Sequence, residues 1–301
     1  MSVMVLCYQH KPFLEQCLGS IANQEYRGDV RVIVADDAST DGSQDLLREW
    51  AANHEHIELI LHRENLGPAK NFEFALNHCE QEILAFCEGD DYWTDPHKLE
   101  KQVALLIKYP DVSMCFSDYC RVGENGEKEA ESSLGDLPER FGMKDLLYGQ
   151  GPSVNATIIR RKTLEGGFAA EFYRVSNPDV FIFAKALLSG PAYYLPEVCS
   201  AYRIHAGGIW SKLAQEEKKL LRVDTRVRLL RSMSSEDRRS LAASGLDVKL
   251  ETQKLKHSVR PLLESLALRS NPLFARYARL LTTGRKLLIG SKLLRQRWRK
   301  R

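Results

Sequence analysis

The first 120 residues alternate two hydrophobic rhythms. Val3-Met-Val-Leu-Cys7 is a short continuous apolar run, the pattern of a strand buried on both faces. Phe13, Leu14, Cys17, Leu18 and Ile21 then recur at helical spacing. The pattern predicts a strand over 30–35, a turn rich in helix-capping residues over 39–43, and a helix marked by Leu46, Leu47 and Trp50. A third strand over 57–61 precedes a helix striped by Ala69, Phe72, Leu76 and Cys79. Runs at 83–87 and 112–116 read as further strands on either side of a helix over about 96–108. Strands alternating with helices predict a mixed, mostly parallel sheet with helices on both faces. The polar, Gly-rich stretch 119–150 reads as a hairpin or mobile loop. A strand near 154–160, a helix over about 179–189 and a strand near 192–198 follow. From about 212 the pattern is helical and heavily charged, with no internal repeat.

Composition narrows the class. In 301 residues, 44% are hydrophobic and 28% charged, too apolar for a disordered chain. No uncharged apolar run approaches the roughly 18 residues of a membrane span. Residues 1–7 are too short for a signal-peptide core, so a cytoplasmic location is expected. The seven cysteines are odd in number and lack CxxC spacing; they read as reduced core residues rather than a zinc site. Charge is unevenly placed: residues 265–301 hold eleven Arg or Lys and no Asp or Glu, leaving 32 basic against 40 acidic residues in 1–264. The division expected is therefore 1–211 as the main domain and 212–301 as a helical extension with a basic tail over about 270–301. Read as one helix, 273–298 aligns Leu273, Tyr277, Leu280, Leu287, Leu294 and Trp298 in one stripe with basic residues around it. That suits an anionic membrane surface, with packing on a subunit as the competing reading. No nucleic-acid motif accompanies the acidic body, so nucleic acid is not an expected partner.

In open α/β sheets, ligands bind beyond the carboxyl ends of the strands. Here the first strand ends at Cys7-Tyr8, the second at Asp36-Asp37, and the fourth at Glu88-Gly-Asp-Asp91. Converging carboxylates repel one another unless a cation or a donor-rich ligand sits among them. Hard oxygen donors suit Mg²⁺ or Mn²⁺ bridging to phosphates. Either pair alone could equally cap the next helix. No GxGxxG and no Walker loop is present, which argues against a dinucleotide fold or a P-loop enzyme.

Residues 2–8, Phe13-Leu14 with Cys17-Leu18, Ser20-Ile21 and Gln24, then Val34-Ala-Asp-Asp-Ala-Ser-Thr-Asp-Gly-Ser43, resemble the family 2 glycosyltransferases. Asn65-Leu-Gly67 with Ala69-Lys-Asn71, and Glu88-Gly-Asp-Asp-Tyr-Trp93 followed by Pro96, Lys98 and Leu99, continue the resemblance in order over about 2–210. The resemblance implies the GT-A fold, a nucleotide-sugar donor (a UDP-sugar by family habit), a divalent cation and inversion at the anomeric carbon. It places Tyr8 and Asp37 against the nucleoside, with Lys70 and Asp90 on the donor. Asp91 is the expected metal ligand, with His205 as a further one; Lys70 and His205 also have plain structural readings. Asp179, after Asn177-Pro178, is the candidate general base, with Pro178 where the family commonly has Glu. Helix capping is its competing role. The expected acceptor is a glycan or lipid-linked glycan in capsule, exopolysaccharide or lipopolysaccharide assembly. A pyrophosphate-releasing nucleotidyltransferase and a non-catalytic scaffold retaining the fold are the rival readings.

Overall fold

The structure, a computed structural model, describes residues 1–149, 151–208, 210–268 and 271–277. The chain divides into two compact units, Met1–Lys212 and one beginning at Leu213.

The first unit opens with β1 (Ser2–Cys7), α1 (Lys11–Ala22), β2 (Arg31–Asp36), α2 (Ser43–Asn53), β3 (Ile57–Leu61), α3 (Pro68–His78) and β4 (Ile83–Glu88). These are the predicted elements, with β2 shifted by one residue. Pro12 and Pro68 sit in the first turns of α1 and α3, where a missing N–H costs nothing and the fixed φ suits a helix. The short β5 (Tyr92–Trp93) and α4 (Lys98–Lys108) follow. β6 (Met114–Gly123) runs well past the expected 116. It turns back through β7 (Lys128–Ala130), so the polar stretch begins as a hairpin, and continues through β8 (Arg140–Phe141) and α5 (Met143–Tyr148). Asp118 organises that stretch: its carboxylate accepts the backbone N–H groups of Ser133 and Leu134 and the hydroxyl of Ser132. β9 (Thr157–Arg160), α6 (Asp179–Leu187) and β10 (Ala192–Ile204) complete the unit. β10 passes the expected end at 198 because register shifts between Leu195 and Ser200 absorb Pro196 without ending the strand.

The sheet runs β3-β2-β1-β4-β9-β6-β10-β5, with β7 on β6 and β8 on β10. β3, β2, β1 and β4 are mutually parallel, as are β6 and β10, whereas β9 is antiparallel to both its neighbours. This is the mixed, mostly parallel sheet the sequence predicts. Leu14, Cys17 and Leu18 of α1 pack with Val3, Val5, Val34 and Ala85 of the strands. Leu14 is fully buried there, so Leu14→Ala is expected to cost about 2–5 kcal/mol. All seven cysteines are free thiols in buried positions, as expected of a reduced core.

The second unit comprises α7 (Gln215–Ser232), α8 (Ser235–Ala243), α9 (Val248–Ser258), α10 (Arg260–Leu268) and α11 (Pro272–Tyr277). Ser234 and Asp237 form a reciprocal cap at the start of α8, and Asp247 caps α9 through the N–H of Leu250. Tyr277 is buried, and the neighbouring Arg276 pairs with Glu217 of α7 at 2.7 Å. The first turn of the expected tail helix is thus packed within this unit; the rest of that helix lies outside the described residues. Among the described residues, no helix is long and apolar enough to cross a membrane.

Candidate active site

β1 has β2 on one side and β4 on the other, all parallel, so three strands deliver their carboxyl ends to one edge of the sheet. Tyr8 follows β1, Asp37 follows β2, and Glu88-Gly-Asp-Asp91 closes β4. The sharp turn there needs Gly89. A Cβ on it would come within 3.3 Å of the Leu6 carbonyl and closer still to the His10 ring. The Gly89 N–H donates to that same carbonyl at 2.8 Å, drawing the acidic loop against β1.

The loop brings oxygen atoms of Glu88, Asp90 and Asp91 within 4.8 Å of one another. Asp91 is 1% exposed. Its Oδ1 accepts the Arg203 N–H at 2.8 Å, while Oδ2 is buried with no hydrogen-bond partner. A buried carboxylate oxygen costs free energy unless something satisfies it. An all-oxygen donor set with one oxygen orphaned is the chemistry that fits a hard divalent cation. Asp90 and Glu88 are less covered, and Asp90 Oδ2 faces His205 Nε2 at 3.0 Å and His10 Nε2 at 3.6 Å.

The three carboxyl groups differ electrostatically. Burial, with the charges of Asp90 and Asp179 added, pushes the Glu88 pKa up to about 8. Burial and the neighbouring Asp90 and Glu88 also hold Asp91 well above the usual carboxylate range. Burial alone would raise Asp90 too, but the imidazoles of His10 and His205 outweigh it and hold that carboxyl low. Without a cation, protons are therefore held more readily on Glu88 and Asp91 than on Asp90.

Arg203 is the buried floor of this arrangement. Its guanidinium donates to the carbonyls of Asp90 (2.9 Å) and Glu124 (3.0 Å) and to the Gln16 side chain. It also lies 4.9 Å from the ring centre of Phe13. Arg203 near the end of β10 and His205 just past it both reach the acidic loop, through Asp90 and Asp91. The segment Tyr202-Arg-Ile-His205 thus gives two side chains to the site, whereas the sequence leads one to expect only His205. Glu88 and His10 also join the site, each two positions from an expected site residue, Asp90 and Tyr8.

Every other expected site residue lies along this edge or at a helix start near it. Tyr8, just past the end of β1, is 46% exposed. Asp37 is buried, and its two oxygens accept the N–H groups of Leu66 (2.7 Å) and Gly67 (2.9 Å). It thereby ties the β2 end to the loop before α3, with carboxylate lone pairs still open. Lys70 is exposed in the first turn of α3. Asp179 is the first residue of α6 and lies within electrostatic reach of Glu88. His205 meets the cluster through Asp90, with its ring 4.8 Å from that of Phe13. Trp93 belongs to the core: it is buried and its Nε1 donates to the Asn155 carbonyl at 2.8 Å. A second acidic group, Asp95 with Glu197 and Cys199, is already neutralised by Lys101, which reaches Asp95 at 2.6 Å and Glu197 at 2.7 Å.

Known proteins resemble this chain at both levels. The family model described as glycosyl transferase family 2 matches residues 2–165. The uncharacterized protein Rv1520 of Mycobacterium tuberculosis is 32% identical over 220 residues, 73% of this chain and 63% of that protein. The chain thus spans just under two thirds of that relative's length. TarS of S. aureus, crystallised in complex with UDP-GlcNAc, matches 93% of this chain and 79% of its own with a TM-score of 0.68 at 18% identity. The mannosyltransferase PcManGT of Pyrobaculum calidifontis, in complex with GDP-Man and Mn²⁺, matches 98% of this chain and 81% of its own, with a TM-score of 0.58 at 20% identity.

Proposed function

The chain belongs to glycosyl transferase family 2, and from that premise we propose that it is an inverting enzyme transferring a sugar from a nucleotide-diphosphate-sugar to a glycan or lipid-linked glycan hydroxyl. The observation that carries this reading is the cluster of Glu88, Asp90 and Asp91 with its orphaned Asp91 oxygen, at the sheet edge that also presents Tyr8 and Asp37. The bound UDP-GlcNAc and GDP-Man of the two structural neighbours support a nucleotide-sugar donor, and the Mn²⁺ of one supports a divalent cation.

In this reading residues 1–211 are the catalytic domain and 212–301 an extension. Tyr8 packs its exposed ring on the nucleobase, Asp37 accepts from base or ribose, and Lys70 reaches the donor. Asp91, Asp90 and Glu88 would hold Mn²⁺ or Mg²⁺, with His205 either joining them or orienting Asp90. Such a cation, when bound, neutralises charge developing on the departing nucleoside diphosphate. Arg203 fixes the acidic loop so that its carboxylates are placed before substrate arrives. Inversion is one displacement: the acceptor oxygen attacks the anomeric carbon, the bond to the diphosphate breaks, and Asp179 takes the hydroxyl proton. Positive charge in the 265–301 tail suits an anionic membrane carrying a lipid-linked acceptor, as in cell-surface polysaccharide assembly.

Thermal melts with UDP and GDP, with and without Mn²⁺, test the donor site. A Mn²⁺-dependent rise for one nucleotide, lost in Asp91→Ala and in Asp90→Asn, is expected. No rise for either nucleotide refutes the proposed donor site.

A further inference from the structure

The β1–β2 ladder runs on past the strands. The Asp37 N–H donates to the Cys7 carbonyl at 2.9 Å. Cys7 and Asp36 are the last paired residues, so Tyr8-Gln9 and Asp37-Ala38 are the two residues that leave each strand. Gln9 and Ala38 are the two non-glycine residues with positive φ among the described residues, at 58° and 62°. Residues with a Cβ are disfavoured there and persist only where the surroundings hold them. Both left-handed positions therefore directly follow the two residues assigned to the nucleoside, each two residues past the end of one of two adjacent parallel strands.

What holds them is specific. The Gln9 backbone N–H donates to Ser39 Oγ at 2.8 Å. Its side-chain amide engages Thr40 twice: Nε2 donates to Thr40 Oγ1 at 3.0 Å, and Oε1 accepts the Thr40 N–H at 3.2 Å. Farther out, the Lys11 N–H donates to Asp41 Oδ2 at 2.9 Å. Without the Gln9 amide, the bond of its N–H to Ser39 and that of Lys11 to Asp41 would be left to tie the two loops. Gln9 is half-buried and Thr40 exposed, so this pairing supports no core; its role lies in the spacing of the two loops.

We propose that Gln9 is a positioning residue for the donor: its amide clamps the loops after β1 and β2 so that Tyr8 and Asp37 hold a fixed gap for the base of a nucleoside diphosphate. The inference rests on the glycosyltransferase reading and adds a residue that acts through its neighbours. Preorganising the gap lowers the ordering cost of binding and leaves the transfer step alone. Gln9 should thus govern nucleotide affinity and donor KM, with kcat little changed.

The test is calorimetric titration of UDP and GDP, in Mn²⁺, into wild type, Gln9→Ala, Thr40→Val and Gln9→Glu, with donor kinetics on the sugar nucleotide of whichever base binds. Loss of both amide bonds in Gln9→Ala should weaken the nucleotide and raise KM by about tenfold, with kcat within about twofold of wild type. Thr40→Val should fall between, and Gln9→Glu, which keeps the acceptor for the Thr40 N–H, should recover part of the loss. In Gln9→Ala the Thr40 amide should exchange its hydrogen faster at an unchanged melting temperature. Wild type binding a nucleotide while Gln9→Ala binds it equally well overturns the clamp and leaves the glycosyltransferase reading standing, as does a loss confined to kcat. Wild type binding neither nucleotide overturns both.

Discussion

Lys98 offers a quantitative test of how the segment behind the acidic loop is built. It is completely buried, its Nζ donates to Gln102 Oε1 at 2.9 Å, and it lies 4.4 Å from the ring centre of Trp93. Burial brings its pKa down to about 8 from the ordinary 10.5. A base with a depressed pKa gives up its proton more readily in the fold than in the unfolded chain. Its contribution to stability is therefore full above about 10.5 and lost as pH falls through about 8. At 1.36 kcal/mol per pKa unit, the stability at stake is about 3 kcal/mol. Lys98→Met removes that titration and keeps most of the stem volume. It also strands Gln102 Oε1, whose amide is fixed by a 2.8 Å bond to the Ala156 carbonyl, at about 1–3 kcal/mol. The two effects roughly offset at pH 7, so the pH dependence decides. Urea melts of both proteins from pH 7 to 10.5 should show wild type gaining about 3 kcal/mol over the variant, since titrations common to both cancel in the difference. Parallel stability curves would refute a buried, titrating Lys98.

Other expectations follow from the site. With a chelator present, the raised Glu88 pKa makes stability fall as pH rises from about 4.5 through about 8; Glu88→Gln should flatten that slope and Mn²⁺ should restore stability at pH 8, both read by thermal melts. Asp179→Asn should lower sugar transfer by about 10²–10⁴-fold while leaving nucleotide affinity within about twofold, because a general base acts on the acceptor proton alone; a small effect on rate would remove Asp179 from that role. Asp118→Ala should cost about 2–4 kcal/mol and open 124–139 to limited proteolysis, since three backbone and hydroxyl donors lose their acceptor. Deleting 278–301, which spares the docked Tyr277, should abolish co-sedimentation with anionic liposomes; unchanged sedimentation would end the membrane reading.

The β1–β4 core was legible because parallel strands buried on both faces write themselves as unbroken apolar runs. The acidic residues ending β2 and β4 then had to share one edge. What the sequence could not show is set by contacts far apart in the chain. Arg203 supports Asp91 across 112 positions, and nothing local marks its guanidinium as the floor of the acidic loop. The raised pKa of Glu88 comes from its burial in the fold and from Asp90 and Asp179 arriving beside it, which composition and spacing do not encode. Pro196 lies inside the expected strand, and the register shifts beyond Leu195, which no local pattern marks, carry β10 past the expected 198 to Ile204. The stretch 119–150 looked loose because its polar residues bond to one buried carboxylate, Asp118, instead of forming a stripe. Gln9 and Ala38 gave no hint of their left-handed backbone, since neither residue type favours it.

The most direct test of the central claim is release of nucleoside diphosphate from a panel including UDP-GlcNAc and GDP-mannose, with Mn²⁺, in wild type and in Asp91→Ala and Asp90→Asn. The account predicts Mn²⁺-dependent release from one donor by wild type, stimulated by an acceptor glycan and lost in both variants. Release that persists in both variants, or pyrophosphate as the product, would contradict it.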